Sequence, residues 1–262
     1  MAAERYTHGY HKSVIGQHAR RTVDDCAAFL LPHLEPHFHL LDVGCGPGSI
    51  TNGFTAYVKA VSGVDFSEDL IAQATSAGSK VNFRVASVYK LPYDDNTFDV
   101  VFAHQVLQHL GDPMSALREM GRVCKVGGLI AVREASFSTM HGAPSATGLQ
   151  KWREVYQATA RRNGGEPDAG LFLRKWMLDA NLTDVRFTTS TVTYTSDEPE
   201  AHAGWGESWA ERTMKTFGPQ AVDFGLASMA DLDEMSSAWK QWAADSTSVF
   251  VYVNGESIGR KK

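Results

Sequence analysis

A glycine-rich turn that follows a short apolar segment restricts the fold of this chain more than any other feature. Residues 41–48 read LDVGCGPG, so that an apolar strand leads into a turn and then into a predicted helix. Glycines suit such a turn because the chain must bend sharply and because a ligand can approach backbone that carries no Cβ. The segment predicts a nucleoside or amino-acid ligand at the carboxyl end of this strand.

An acidic residue at the end of the next apolar segment extends this interpretation. Asp65 lies 65 − 42 = 23 residues after Asp42, where a carboxylate can accept hydrogen bonds from both hydroxyls of a ribose. A dinucleotide-binding turn would need its third glycine at position 49, which is Ser49. The remaining alternative is a turn that only joins a strand to a helix.

The segment from residue 40 to residue 134 alternates short β-branched runs with stretches of helical length, which is typical of βα units around a parallel sheet. The predicted strands are Leu40–Val43, Ala60–Asp65, Val81–Ala86, Phe98–Ala103 and Leu129–Arg133. The predicted helices are Ile50–Val58, Ser67–Ala77 and Asp112–Cys124. We therefore predict a doubly wound α/β core.

Apolar residues at helical spacing continue on both sides of this core. An early helix is predicted to end at Pro32, and later helices are predicted near 149–156, 171–180 and 232–242, with strands at 185–195 and 248–253. All six tryptophans follow residue 150. Aromatic helices of this kind either cover a pocket or only pack on the core.

Composition excludes several classes of function. The 262 residues include 25 Lys and Arg against 30 Asp and Glu, and a net charge of −5 argues against a nucleic-acid partner. Three cysteines are too few and too widely spaced for a disulfide framework. The start of the chain has no signal-peptide pattern, and no uncharged apolar run approaches 18 residues. We expect a cytoplasmic protein without a membrane partner, and the sequence does not indicate its oligomeric state.

Four ordered motifs resemble the class I S-adenosylmethionine-dependent methyltransferases. They are LLDVGCGPG at 40–48, GVDFS at 63–67, LPYDDNTFDVV at 91–101 and LREMGRVCKVGG at 117–128, in the order found in the menaquinone and ubiquinone C-methyltransferase branch. The resemblance implies a Rossmann-like, doubly wound α/β fold with a seven-stranded sheet and helical cap insertions. It implies one catalytic domain with an N-terminal helical leader at 1–36, a cofactor-binding core at 37–136, and the rest of the sheet with acceptor-binding helices at 137–262.

The resemblance also implies that S-adenosylmethionine is the donor, S-adenosylhomocysteine the product, and no metal a cofactor. The implied donor-binding residues are Tyr10, Arg21, Asp42, Gly44, Gly46, Gly48, Asp65, Phe66, Ser87 and His104. In this set Asp65 would bind the ribose and Phe66 would pack on the adenine. Ser87 stands where the branch usually has an acid that contacts the adenine amino group.

Methyl transfer needs two partners held in line in a dry pocket, and it needs a base only when the acceptor is protonated. Candidate bases are His104, His109 and His141. The strand-four segment lacks the N-P-P-Y motif of nucleic-acid amino methyltransferases and the acidic cluster of magnesium-dependent catechol enzymes.

We expect a small, fairly apolar acceptor, either a natural product, with S-methylation of a dithiol as one case, or a quinone precursor that is methylated at carbon. A module that binds the donor without catalysis is a further alternative. The predicted acceptor pocket consists of Trp152, Tyr156, Phe172, Trp176, Trp205 and Trp209.

Overall fold

A computed structural model describes residue 7, residues 21–76 and residues 78–262. Within this part the strands are β1 His39–Val43, β2 Ala60–Asp65, β3 Asn82–Val85, β4 Phe98–His104, β5 Cys124–Ala143, β6 Thr183–Thr195 and β7 Val249–Arg260. They form one seven-stranded sheet with the strand order β3-β2-β1-β4-β5-β7-β6. The predicted Rossmann-like α/β class is confirmed.

The direction of the strands determines where a ligand can bind. β1 pairs in parallel with both β2 and β4, whereas β7 is antiparallel to β5 and β6. The chain moves outward from β1 through β2 to β3 and then returns to β4 on the other side of β1. This reversal leaves a crevice at the carboxyl ends of β1 and β4, which is where open α/β sheets bind ligands.

Helices flank the sheet and extend beyond it. They are α1 Val23–Cys26, α2 Ser49–Gly53, α3 Glu68–Ser76, α4 Pro113–Val123, α5 Thr147–Arg162, α6 Ala169–Asp179, α7 Pro199–Lys215, α8 Phe217–Asp223 and α9 Met229–Ala244. Single 3-10 turns lie at Leu31–His33, Phe54–Ala56 and Leu107–His109. No helix of the described part is long and apolar enough to cross a membrane.

The apolar residues form three clusters. Adjacent residues of β1 point to opposite faces of the sheet, so that Leu40 packs with α1 and α2 while Leu41 packs with α4 and α6. The third cluster is aromatic and joins α5, α7 and α9, where Trp152, Trp209 and Trp239 are fully buried. The late helices therefore have a core of their own beside the sheet.

The predicted elements are largely present, with differences in extent. The helix predicted over 50–58 is replaced by α2 and a following 3-10 turn. The early helix predicted to end at Pro32 is represented, among the described residues, by the short helix α1, which ends at Cys26. The strand predicted over 129–133 extends from Cys124 to Ala143 because β7 pairs along most of its length, and it crosses the predicted boundary between 136 and 137. Helices α7 and α8 were not predicted.

Candidate active site

A cavity of about 390 Å³ lies at the carboxyl ends of β1, β2 and β4. One end of its wall is the glycine-rich turn with the residues that follow β2 and β3. The other end consists of side chains from β5, β7 and α7, and the loop after β4 lies between the two ends. We call these the turn end and the aromatic end of the cavity.

The three glycines of the turn have different roles. All three have positive φ angles, at 74° for Gly44, 53° for Gly46 and 83° for Gly48, a region that favours glycine. A Cβ on Gly44 would collide with Val106, and a Cβ on Gly48 would lie 2.7 Å from Phe83 Cζ. A Cβ on Gly46 would meet nothing within 4 Å. Gly46 therefore leaves room for a ligand, while Gly48 does not line the cavity and serves the turn and its packing.

Asp65 links the turn to the end of β2. Its Oδ2 accepts the Gly46 N–H at 3.0 Å, and its Oδ1 accepts the Ser67 N–H at 3.0 Å. Burial raises the pKa of this carboxyl, although the backbone N–H groups of Ser67, Gly46 and Phe66 act in the opposite direction. A carboxylate has about four lone-pair sites, so it keeps acceptor capacity for a ligand hydroxyl beside these donors.

Asp42 is a second buried carboxyl at the turn end. Its Oδ2 accepts the Thr51 hydroxyl at 2.6 Å, and α2 brings that threonine over the end of β1. Burial raises the pKa of Asp42 to about 7, and the nearby charge of Asp65 adds to this effect. Two carboxyls that lose hydration together favour a ligand that brings a positive charge.

Two further predicted residues line the turn end. Phe66 exposes 63% of its surface and lines the cavity, so its ring offers a face for a planar ligand. The Ser87 hydroxyl accepts the Tyr89 N–H at 3.2 Å and keeps its own proton for donation. Serine at this position therefore retains a polar contact without a charge.

The loop after β4 forms the centre of the cavity wall. His104 is buried at the end of β4 and lines the cavity. Arg21 also lines it and donates from Nη2 to the Gln105 Oε1 at 2.5 Å, with Gln105 at a φ of 54°. Tyr10, the other residue predicted from the leader, lies outside the described residues.

The carboxyl of Glu134 on β5 stabilises this loop by hydrogen bonds. Its side chain is fully buried, and it accepts the N–H groups of Val106 at 2.9 Å, Leu107 at 2.8 Å and Gln108 at 3.4 Å. Burial raises its pKa to about 8, while the three N–H donors oppose that rise. One carboxyl group thus fixes the backbone of the 3-10 turn that presents the next two cavity residues.

Those two residues are Gln108 and His109. The Gln108 Nε2 lies 3.1 Å from the His109 Nε2, and both side chains line the cavity. Burial, together with the positive charge of Arg21, lowers the pKa of His109 to about 3. His109 is therefore neutral at physiological pH and is a weak base.

One face of α7 forms part of the aromatic end. Trp205, Trp209 and Arg212 follow each other at helical spacing and all line the cavity. Phe137 lies 6.1 Å from Trp209 in an edge contact, and Tyr252 stacks on Trp205 at 5.8 Å. This wall suits a flat, apolar ligand.

The structure does not bring four of the predicted acceptor residues into the cavity. Trp152 and Tyr156 are buried behind its wall, where Tyr156 stacks on Phe137 at 4.2 Å and Trp152 meets Trp209 at 4.6 Å. Phe172 and Trp176 stack on each other on α6, whose buried face packs on the sheet. Of the predicted set, only Trp205 and Trp209 form part of the lining.

His141 is not placed as predicted for a catalytic residue. The expected loop after strand five is absent because β5 continues to Ala143, and His141 pairs there with Val251 of β7. Its ring is exposed and lies 3.2 Å from a guanidinium nitrogen of Arg153, outside the cavity lining. The prediction that it faces the cavity mouth is wrong.

Sequence reasoning missed several residues of the aromatic end. Phe137, Met140 and Tyr252 lie on β5 and β7, where no motif marks them. Arg212 had a detectable signal, since a cation at helical spacing from two tryptophans is unusual on an apolar face. Gln108 lies four residues after the candidate base His104, and no motif in the sequence marks it.

Comparisons with known proteins agree with this geometry. A family model described as a methyltransferase domain matches residues 41–132. An uncharacterized methyltransferase of Schizosaccharomyces pombe is 33% identical over 98% of this chain and 96% of its own length. The 27-O-demethylrifamycin SV methyltransferase of Amycolatopsis mediterranei is 31% identical over 63% of this chain and 68% of its own.

A solved structure of geranyl diphosphate methyltransferase in complex with S-adenosylmethionine has a TM-score of 0.51 and 19% identity, and it covers 90% of this chain and 84% of its own. At that identity the similarity shows only that the two proteins share a fold. The Schizosaccharomyces pombe relative, which matches nearly the full length at 33% identity, shows the family. The chain belongs to the class I S-adenosylmethionine-dependent methyltransferases.

Proposed function

We propose that this methyltransferase transfers a methyl group to an oxygen atom of a small aromatic natural product. The observation that carries the proposal is a single cavity with two unlike ends, one polar and glycine-rich and the other built from aromatic side chains. A donor at the first end and an acceptor at the second would share one space of about 390 Å³ with little water between them.

The turn end fits S-adenosylmethionine. The donor is a cation, and Asp42 and Asp65 are the buried carboxyls that would face it. Gly46 leaves its Cβ position open for the methionyl part, while the carboxylate of Asp65 has acceptor capacity for the ribose hydroxyls. Phe66 would pack on the adenine.

Three polar residues complete the proposed donor site. The Ser87 hydroxyl would donate its proton to an adenine nitrogen, while its oxygen accepts the Tyr89 N–H. His104 would line the methionine end, and Arg21 would contact the donor carboxylate from its position on Gln105. The bound donor supplies an activated methyl group on its sulfonium.

The aromatic end favours an acceptor with a ring system. The rings of Trp205 and Trp209 border the cavity, with Trp209 almost wholly covered by its neighbours, and Phe137 and Tyr252 form the wall on the sheet side. Transfer to oxygen is favoured by analogy with the relative named as a 27-O-demethylrifamycin SV methyltransferase. The acceptor oxygen would form a bond to the methyl carbon as the carbon–sulfur bond breaks, and the electron pair of that bond would stay on sulfur.

We also propose that the protein works in a reducing compartment, as the cytoplasm provides. Cys26, Cys45 and Cys124 are buried free thiols in the described structure. Burial raises the pKa of each thiol, which keeps them as unreactive apolar groups. None of the three is needed for the proposed reaction.

The test is an assay with donor carrying a deuterated methyl group and three acceptors: a hydroxynaphthoic acid, a reduced dithiol and a demethylquinol. Mass spectrometry would report a single methyl group on an oxygen of the hydroxynaphthoic acid. The Asp65→Ala variant is the control, since it should lose donor binding while the aromatic end stays intact. Two successive methyl groups on the dithiol would indicate bis-S-methylation, and a methyl group on a quinol carbon would indicate quinone synthesis. Donor binding without transfer to any acceptor would indicate a non-catalytic module.

A further inference from the structure

A buried cation forms part of the aromatic end of the cavity. Arg212 on α7 has 4% of its surface exposed and lines the cavity. Its guanidinium carbon lies 4.8 Å from the centre of the Trp209 ring, so the group is held against the aromatic wall. A guanidinium presents a planar fork of N–H donors, which matches the shape of an oxyanion.

The carboxyls and the arginines of the cavity wall lie at different places. Arg21 lies at the loop after β4, where it donates to Gln105, and Arg212 lies at the aromatic end. Among the described residues that line the cavity, the carboxyls are Asp42 and Asp65, and both belong to the turn end. The residues from β5, β7 and α7 that line the aromatic end include Arg212 and no carboxylate. A cationic donor therefore meets negative charge at one end, and the second ligand meets positive charge at the other.

The neighbouring polar groups also suit an oxyanion. Trp205 lines the cavity, and its buried indole N–H has no hydrogen-bond partner in the described part of the chain. An indole N–H is a donor only, so its partner must be an acceptor atom. His109 has a pKa lowered to about 3, so it adds no charge to the site and is too weak to hold a proton taken from a neutral acceptor.

We propose that the acceptor is an aromatic compound that binds as an anion, with an acidic oxygen paired to Arg212 and its ring packed on Trp205 and Trp209. Arg212 is then the residue that determines specificity for charged over neutral acceptors. This inference rests on the proposed function, because it names the acceptor class of the same cavity. It requires no base in the cavity, since the proton leaves to solvent when the acid ionises.

Binding of two probes of equal shape tests the proposal. 2-Naphthoate and 2-naphthamide differ mainly in charge, and calorimetry at pH 7.5 would measure the affinity of each with and without S-adenosylhomocysteine. We expect the naphthoate to bind about tenfold more tightly or better, the range that a charge-assisted hydrogen bond provides. Arg212→Gln should reduce naphthoate affinity to the level of the amide, and Arg212→Lys should restore part of it.

Arg118→Gln is the matched control, because Arg118 is an exposed arginine on α4 that is not part of the cavity lining. It should keep the preference for naphthoate. Equal affinity of the two probes for the unmodified protein, failure of both to bind, or a preference that persists in folded Arg212→Gln would each overturn the inference. Loss of S-adenosylhomocysteine binding would count against the proposed function alone, since the preference is also measured without that ligand.

Discussion

Replacement of Glu134 by glutamine should change how the stability of this protein depends on pH. The carboxyl is fully buried and accepts three backbone N–H groups from residues 106–108. The two short bonds, from Val106 and Leu107, go to the same oxygen, and an amide oxygen can keep both. Only the 3.4 Å bond from Gln108 to the second oxygen is lost. Glu134→Gln therefore removes the ionisation with little change in packing.

The magnitude follows from the pKa of Glu134 in the folded protein. Burial raises this pKa from 4.5 to about 8, so the folded chain holds the proton more tightly than the unfolded chain. The contribution to stability is fully present below pH 4.5 and is lost as pH rises towards about 8. At up to about 1.36 kcal/mol per pH unit, with a smaller slope near each pKa, the free energy of unfolding of the parent protein should fall by about 3.5 kcal/mol between pH 5 and pH 8 relative to the variant.

Urea unfolding at pH 5, 6, 7 and 8, followed by tryptophan fluorescence, would measure this difference. Titration of Asp42 occurs in both proteins and cancels in the comparison. Glu134→Ala is the second variant, and it should be less stable than the parent at pH 5, because three buried N–H groups lose their acceptor. Parallel pH curves for the parent and Glu134→Gln would refute the assignment of a raised pKa to Glu134.

Three further predictions follow from the site. Asp65→Asn should weaken binding of S-adenosylhomocysteine by about 10- to 100-fold in calorimetry, because one oxygen that accepts hydrogen bonds becomes an amide donor. Gly48→Ala should destabilise the protein by about 1–3 kcal/mol more than Gly225→Ala in urea unfolding, because both have positive φ angles but only the first places a Cβ against Phe83. His109→Gln should leave the pH profile of methyl transfer between pH 5.5 and 8 unchanged, because the ring stays neutral over that range.

The sequence predicted the turn end of the cavity well, because its signals are local. The positive φ angles at Gly44, Gly46 and Gly48 require glycine at fixed positions, and each βα unit repeats its own apolar pattern. The distinct roles of the three glycines could not be predicted. They depend on Val106 and Phe83, which reach the turn from other strands and loops.

The aromatic end could be predicted only in part, because it depends on pairing between distant segments. Arg133 and Glu256 form a buried ion pair across β5 and β7, although 123 residues separate them along the chain. The pairing of β5 with β7 extends β5 past residue 133, and it places His141 opposite Val251, outside the cavity lining. An apolar run shows that a strand begins, but its length is decided by the partner strand.

The sequence also could not predict which of the aromatic residues after residue 150 border the cavity. Trp152 and Trp209 both lie on amphipathic helices and both are fully buried, yet only Trp209 borders the cavity. Apolar periodicity identifies which face of a helix is buried. It does not tell whether that face borders a ligand cavity or packs against a neighbouring helix. A charged residue on the same face distinguishes the two, as Arg212 does on α7.

Two buried acids reduce the stability of this fold at neutral pH, and each lies where the site needs it. Glu134 gains three hydrogen bonds from the loop after β4, so its burial fixes the part of the wall that lies between the two ends of the cavity. Asp42 gains one hydrogen bond from Thr51, and its pKa of about 7 leaves it partly protonated without a ligand. A cationic donor would favour the charged form of Asp42 and thereby recover free energy that folding alone does not. Asp42, the acid with fewer hydrogen bonds to stabilise its charge, thus lies at the end of the cavity that would receive the cation. This placement is expected where ligand binding rather than folding stabilises a buried charge.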